Sequence, residues 1–308
     1  MATRKEVKNR IASVKNINKI TRAMEMVAAA RLRRAEQRID RLRPYAQALR
    51  RMTRQVAEQV GDLPRVPVLH EHEQVGRVGV LLITGDRGLA GAFNTNILRE
   101  GLRLKREFES EGKHVAFSVV GRRGDSSLRF RQEEVAHSYV GFTDRPAFAN
   151  AREIAEQLTS SYVDEDLNRV ELVYNRYVSP LTQYVRRQTL LPLQQAEVFG
   201  EKVEALAREE PEADPALVEA HRRALWIYEP EPEELLNRLV PEYVNLSVYR
   251  ALLESAASEH GARMTAMRNA AENAQSMISD LTLEMNRVRQ AEITQEILEV
   301  VAGAEGLG

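Results

Sequence analysis

The sequence has no cysteine, one tryptophan and no glycine before Gly61. The missing cysteine excludes disulfides, thiolate metal sites, cysteine nucleophiles and thiol-based redox control. Aromatic residues make up only 6% of the chain. No apolar run approaches the roughly 18 residues that a membrane-crossing helix needs. The N-terminus, MATRKEVKNR, has no apolar core behind its charges and carries an early acid, so it does not read as a secretory signal; a cytosolic protein is expected, with peripheral membrane association left open. The six histidines are scattered. Only His70 and His72 lie close together, in a proline-flanked stretch, and a zinc site there is the weaker reading. No G-x-S-x-G elbow or comparable catalytic constellation is present. Glu153 and Glu156 share a helical face with no metal partner and read as a solvated surface.

What the chain has is 308 residues, 29% of them charged, with a net charge of −1 that hides a steep polarity. Residues 1–58 hold 16 basic and 5 acidic side chains, a balance of +11. Residues 229–308 hold 6 basic and 14 acidic, a balance of −8. A basic arm for nucleic acid or acidic lipid is one reading. The other is that the two ends lie against each other or against separate charged partners. Against a nucleic-acid arm, the arginines at 31, 33, 34, 38, 41 and 43 surround the helix rather than keeping to one face.

Both ends are written in heptads. Val7, Ile11, Val14, Asn18, Thr21, Glu25, Ala28, Leu32, Ala35, Ile39, Leu42, Ala46, Leu49, Thr53 and Val56 follow a 4,3 stride, the seam of a coiled coil. Pro44 is the only breaker and is expected to bend the helix. The C-terminal stride runs through Leu253, Ala257, His260, Met264, Met267, Ala271, Ala274, Ile278, Leu281, Met285 and Val288. Pro241 is expected near the start of that helix and Gly303 near its end. At 1.5 Å per residue the two helices come to about 80 Å and 90 Å. Two such helices most simply pair as an antiparallel coiled coil, with separate dimer seams as the alternative. Beside the first seam, Ile17, Ile20, Met24 and Val27 form a second apolar line. The stretches MEMVAAARL and ITQEILEVVAGA are apolar around much of their circumference. A two-stranded coiled coil leaves its outer faces in water, so such ends are expected to enter another protein.

Between the helices, RVGVLLIT (77–84), HVAFSVVG (114–121) and RVELVYNRYVS (169–179) read as strands, alternating with two helical segments. This β-α-β-α-β order predicts a mostly parallel, Rossmann-like layered domain, with RRQTLLPL (186–193) as a further edge strand. The domain division is therefore an N-terminal shaft helix (1–60), an α/β domain (75–197), an acidic surface insertion (198–225) and a C-terminal shaft helix (232–303). Gly85, Gly88 and Gly91 follow the first strand and resemble a phosphate-cradling loop. Their spacing is G-x-x-G-x-x-G, without a following Gly-Lys-Ser/Thr, and the second strand ends in Gly121-Arg122-Arg123 rather than an acid. A tight turn packing a helix on a sheet accounts for them better than a nucleotide.

The segments NRIASVKNINKITRAMEMVAAARLRRA (9–35), ITGDRGLAGAFNTNI (83–97), WIYEPEPEELL (226–236) and RQAEITQEILEVVAGA (289–304) occur in this order. They resemble the signatures of the γ-subunit family of F-type ATP synthases over nearly the whole chain. The chain departs from compact bacterial members in its longer acidic stretch, and from the chloroplast type in having no cysteine. The resemblance implies a non-catalytic rotor shaft without cofactor, set in a hexamer of α and β subunits. Further implied partners are an ε subunit and a ring of c subunits; no nucleic acid is implied, and the membrane is met only through the complex. It implies that Met24 lies near an acidic loop of β, and that Arg289, Gln290, Thr294 and Glu296 contact a second β loop. It also implies that Ile297, Leu298, Val300 and Val301 enter an apolar sleeve of the hexamer, and that Trp226, Tyr228 and Glu229 rest on the c ring. The alternatives are an ordinary shaft methionine for Met24, a solvated helix face for Arg289, Gln290, Thr294 and Glu296, and local packing for the aromatic pair.

Overall fold

The computed structural model describes residues 3–59, 66–180, 182–194 and 231–305. The N-terminal stride forms one helix, α1 (Arg4–Gln59), which passes through Pro44 without ending. The C-terminal stride forms α5 (Pro232–Glu305), of 74 residues or about 110 Å. Pro241, expected near its start, is its tenth residue. Its first residue is Pro232, at a position where the missing N–H has no intrahelical partner to lose.

α1 and α5 pack against each other as antiparallel partners: Arg4 pairs with Glu292 and Glu25 with Arg268. Every residue of both predicted seams is buried or half-buried. Two polar seam positions bond across the pair, while Thr21 and Thr53 donate back to carbonyls of α1. The Asn18 amide donates to the carbonyl of Ala271 at 3.1 Å, and Arg268 donates to Glu25 at 2.8 Å. Such polar contacts in an otherwise apolar seam fix the register of the helices. The charge asymmetry of the two ends is only partly spent here. Arg4–Glu292 has the expected sign, whereas Glu25–Arg268 reverses it, and Arg33, Arg34, Arg41 and Arg51 face solvent.

The α/β domain contains β1 (Arg77–Ile83), α2 (Phe93–Ser110), β2 (His114–Val120), α3 (Arg122–Phe130), β3 (Val135–Tyr139), α4 (Phe148–Val163), β4 (Arg169–Tyr177) and β5 (Gln183–Leu191). The sheet order is β3-β2-β1-β4-β5, with β5 antiparallel to β4 and the other pairings parallel. β1 and β2 are buried along all but their first residue, as central parallel strands must be. Leu81, Ile83, Leu172 and Tyr174 face α4 and the first part of α5. Val78, Val80, Phe117 and Val119 face α2 and α3. The α3–β3 unit was not anticipated from sequence. RRGDSSLRF is short and polar, and VAHSY is a sheet-edge strand that alternates between half-buried and exposed, so neither shows a long apolar pattern. The acidic stretch 198–225 lies outside the described residues.

Candidate functional site

β1 is followed in sequence by β2 on one side of it, while β4, reached after β3, lies on the other. The carboxyl ends of β1 and β4 therefore flank the crevice where open α/β sheets bind ligands. Here α5 fills that crevice. Ser255 donates to the carbonyl of Ile83 at 3.3 Å, and Ser258 to that of Asn175 at 3.1 Å. Arg263 donates to the carbonyl of Gly88 at 3.2 Å and to Glu259 at 2.5 Å. Every residue from Ala251 to Gly261 is buried, because the sheet covers one side of α5 and α1 the other. Of the glycines after β1, Gly85 is packed against Glu259 and Gly88 against Arg123, while Gly91 takes a positive φ in the turn before α2.

Around this plug the polar groups are organised. Burial pushes the Asp86 carboxyl up, but the N–H groups of Gly141, Arg122 and Thr143 and the Thr143 hydroxyl outweigh it and hold it below the usual carboxylate range. Asp86 thereby ties the 141–144 loop to the start of α3. Asp144 of that loop pairs with Arg31 of α1 and Arg87, and its carbonyl faces His260 of α5 at 3.4 Å. Burial lowers the His260 pKa to about 4, against the opposing pull of Asp144. Burial raises that of Glu259, against Arg263. On the other flank of α5 the Tyr177 hydroxyl donates to Glu36 of α1 at 2.5 Å. The joint of Arg31, Glu36, Asp144, Tyr177, Glu259, His260 and Arg263 was not anticipated. The available signal was that Arg31 and Glu36 flank the seam residues Leu32 and Ala35 on opposite sides.

The residues proposed from sequence lie elsewhere, toward the free end of the shaft. Met24 is half-buried on α1, beside exposed Ile17, Ile20 (58% exposed) and Val27. Arg4–Glu292 marks the level of the α1 N-terminus, and α5 continues 13 residues further, about 20 Å. Arg289, Gln290, Thr294 and Glu296 are exposed, with the Thr294 hydroxyl turned back to the Gln290 carbonyl at 2.9 Å. Ile297, Leu298 (62%), Val300 (72%) and Val301 are exposed as well, on several sides of the helix. Trp226, Tyr228 and Glu229 lie outside the described residues. His70 and His72 do not converge: the His70 carbonyl accepts from the Tyr162 hydroxyl, while the His72 ring meets the Tyr162 carbonyl at 3.1 Å. Among the described residues no group of His, Asp and Glu side chains is arranged to hold a metal ion, and Glu156 is paired with Arg152 on the surface of α4.

A rod of two unequal helices, gripped at one end by an α/β domain and apolar at the other, is an asymmetric stalk. A family model described as ATP synthase matches residues 3–307. The chain is 42% identical to the ATP synthase gamma chain of Rubrobacter xylanophilus, covering all of this chain and 99% of that one. It is 42% identical to that of Moorella thermoacetica, covering both in full. The structure is similar to a chain of the central stalk and c-ring of the Tetrahymena thermophila mitochondrial ATP synthase. That match has a TM-score of 0.57 and 28% identity and covers 82% of this chain and 99% of that one. A chain of the Euglena gracilis mitochondrial enzyme shares the fold, with a TM-score of 0.63 at 20% identity over 99% and 94% of the two chains. The chain belongs to the ATP synthase gamma-chain family. It is a central-stalk subunit of a membrane-associated complex whose catalytic sites lie on other subunits. Among the described residues no helix is long and apolar enough to cross a membrane.

Proposed function

We infer that the chain is the rotating shaft that couples ion flow through the membrane sector to ATP synthesis or hydrolysis in the catalytic head. The observation that carries this is the contrast between its ends. The α5 terminus exposes Ile297, Leu298, Val300 and Val301 without an intramolecular partner, while residues 251–261 of the same helix are locked into the α/β domain. The free end enters an apolar sleeve formed by a hexamer of alternating α and β subunits. Met24, Arg289, Gln290, Thr294 and Glu296 meet β loops. Trp226, Tyr228 and Glu229 form the foot on the c ring, near the ε subunit. The complex sits on the cytoplasmic face of the plasma (inner) membrane.

The shaft breaks no bond. An asymmetric rod in a threefold ring touches the three catalytic sites differently, and its angle biases each β subunit between open and closed states of different nucleotide affinity. Turning the rod advances all three sites in sequence, and ATP hydrolysis drives it in the reverse sense. The exposed arginines of α1 suit a shaft turning past acidic loops, because charge attraction acts at many angles without a fixed fit. Co-purification of a tagged chain with α, β, ε and c subunits, in a complex whose ATP hydrolysis pumps protons, is the expected result. A chain recovered without α and β from cells that assemble a functional complex would contradict the reading.

A further inference from the structure

α1 and α5 are attached to the α/β domain in different ways. α5 is sunk into it: Ser255 and Ser258 bond to carbonyls at the ends of β1 and β4, and Arg263 bonds to the β1–α2 loop. α1 lies on the far side of α5 and packs along it through Leu32, Ala35, Ile39, Leu253 and Ala257. Two side-chain ties bypass α5 and run from the domain directly to α1. One is Asp144, from the loop that Asp86 anchors, to Arg31. The other is Tyr177, from the end of β4, to Glu36.

The positions of the two ties matter more than their strengths. Arg31 and Glu36 stand about 70° to either side of the Leu32–Ala35 seam, by the 100° step of a 3.6-residue helix. α5 keeps the same sides apart. Glu259 and Arg263 flank it where the 85–88 and 141–144 loops approach. Gly261 flanks it where the β4–β5 turn approaches, and a Cβ there would collide with the Gln183 amide. The domain therefore straddles α5 and holds α1 from both sides. The apolar seam of Leu32, Ala35, Ile39, Leu253 and Ala257 holds the helices together, but packing of this kind tolerates a spread of crossing angles and does not by itself fix α1 against turning round α5. Twisting α1 round α5 in one sense stretches Arg31–Asp144 and slackens Glu36–Tyr177; the opposite twist does the reverse.

We propose that Arg31–Asp144 and Glu36–Tyr177 form a two-sided latch that carries torque between the α/β domain and α1, each tie bearing load for one sense of twist. Arg31, Glu36, Asp144 and Tyr177 are thus positioning residues for the rotary cycle and touch no nucleotide. The proposal rests on the shaft reading given above. In synthesis the domain drives and the head resists; in ATP-driven pumping the head drives and the load holds the domain back. Both wind the joint in the same sense, so one tie is loaded in both modes and the other in neither.

The test uses the assembled complex in membranes, with Asp144→Asn and Tyr177→Phe singly and together, and with Arg31→Gln and Glu36→Gln as counterparts cut from the α1 side. The readouts are proton-driven ATP synthesis, ATP-driven proton pumping, and the compliance of a probe on the α/β domain twisted in each sense with the head fixed. The expected result is a loss of stiffness for one sense of twist in Asp144→Asn and Arg31→Gln, and for the other sense in Tyr177→Phe and Glu36→Gln. Synthesis and pumping fall together for the pair that stiffens the sense in which the working joint is wound and stay at the parent level for the other pair, and the double variant loses stiffness both ways. Unchanged compliance, equal loss in both senses for a single variant, or failure of all four variants to assemble would overturn the latch and leave these contacts as ordinary packing. If the parent complex itself does not turn its α/β domain during ATP hydrolysis, the shaft reading fails instead.

Discussion

Glu259 occupies the space where any other residue would place a side chain at Gly85: a Cβ built on Gly85 lies 2.7 Å from the Glu259 carboxyl carbon. A loop that follows the first strand of a parallel sheet is thereby closed by the shaft helix and not by a ligand. The glycine is required by the approach of Glu259, itself held by Arg263 at 2.5 Å.

Gly85→Ala should accordingly push Glu259 off Arg263 and destabilise the joint by about 1–3 kcal/mol, the usual cost of overpacking a tight site. Denaturant unfolding of the purified chain measures this. Gly91→Ala is the comparison for space, since nothing lies within 4 Å of a Cβ there, although its positive φ adds strain. Equal stability of Gly85→Ala and the parent would show that the crevice is looser than this contact implies.

His260 gives the joint a sensitivity to acid. Burial lowers its pKa to about 4 from an ordinary 6.5. Between those values the unfolded chain binds a proton that the folded chain excludes. Folding is thus favoured above about pH 6.5, and this contribution is lost as pH falls toward 4. At 1.36 kcal/mol per pH unit the whole effect is on the order of 3 kcal/mol. His260→Gln should flatten the stability–pH curve across that window relative to the parent. Parallel curves for the two proteins would contradict a buried neutral imidazole.

Leu298 is exposed in the single chain, and the sleeve proposed above would bury it in the assembly. Leu298→Asp should leave the thermal stability of the chain within about 0.5 kcal/mol, as for other surface changes. Its effect on the complex should be large. Keeping an ordinary carboxyl protonated in an apolar sleeve at pH 7 costs about 4 kcal/mol. Yield of assembled complex, or stall torque where it assembles, is the measurement. A parent-like yield and torque would place the end of α5 outside any apolar sleeve.

The foot is tested by its attachment. Trp226, Tyr228 and Glu229, followed in sequence by Pro230 and Pro232, are the residues proposed above to rest on the c ring. An exposed ion pair contributes only about 0–1 kcal/mol. Trp226→Ala with Tyr228→Ala should therefore release more ATPase activity from washed membranes at low salt than Glu229→Gln does. Equal retention by the double aromatic variant and the parent would remove these residues from the c-ring contact.

The two shaft helices were legible because heptad spacing is a long-range signal: the residues from Val7 to Val56 agree on one face, and polar Asn18 and Glu25 do not break the pattern. The central strands were legible as apolar runs. Pro241 stands near the start of α5 as expected, because a proline in the first turns of a long, tertiary-packed helix costs one hydrogen bond that the rest of the helix outweighs. β3 was illegible since an edge strand needs few apolar residues. The torque joint was illegible for a deeper reason. Arg31 and Asp144 are 113 residues apart, and each alone looks like a solvated charge. Only the packing of α5 into the switch-point crevice brings them together.

On the shaft reading, this chain turns as a unit inside a fixed head. The most direct measurement fixes the α/β hexamer to a surface, attaches a marker to the exposed end of α3 at Phe130, and follows the marker during ATP hydrolysis. The account predicts rotation in one sense, with three dwells per turn imposed by the threefold head and both helices moving with the marker. Full ATP hydrolysis beneath a stationary marker would contradict it.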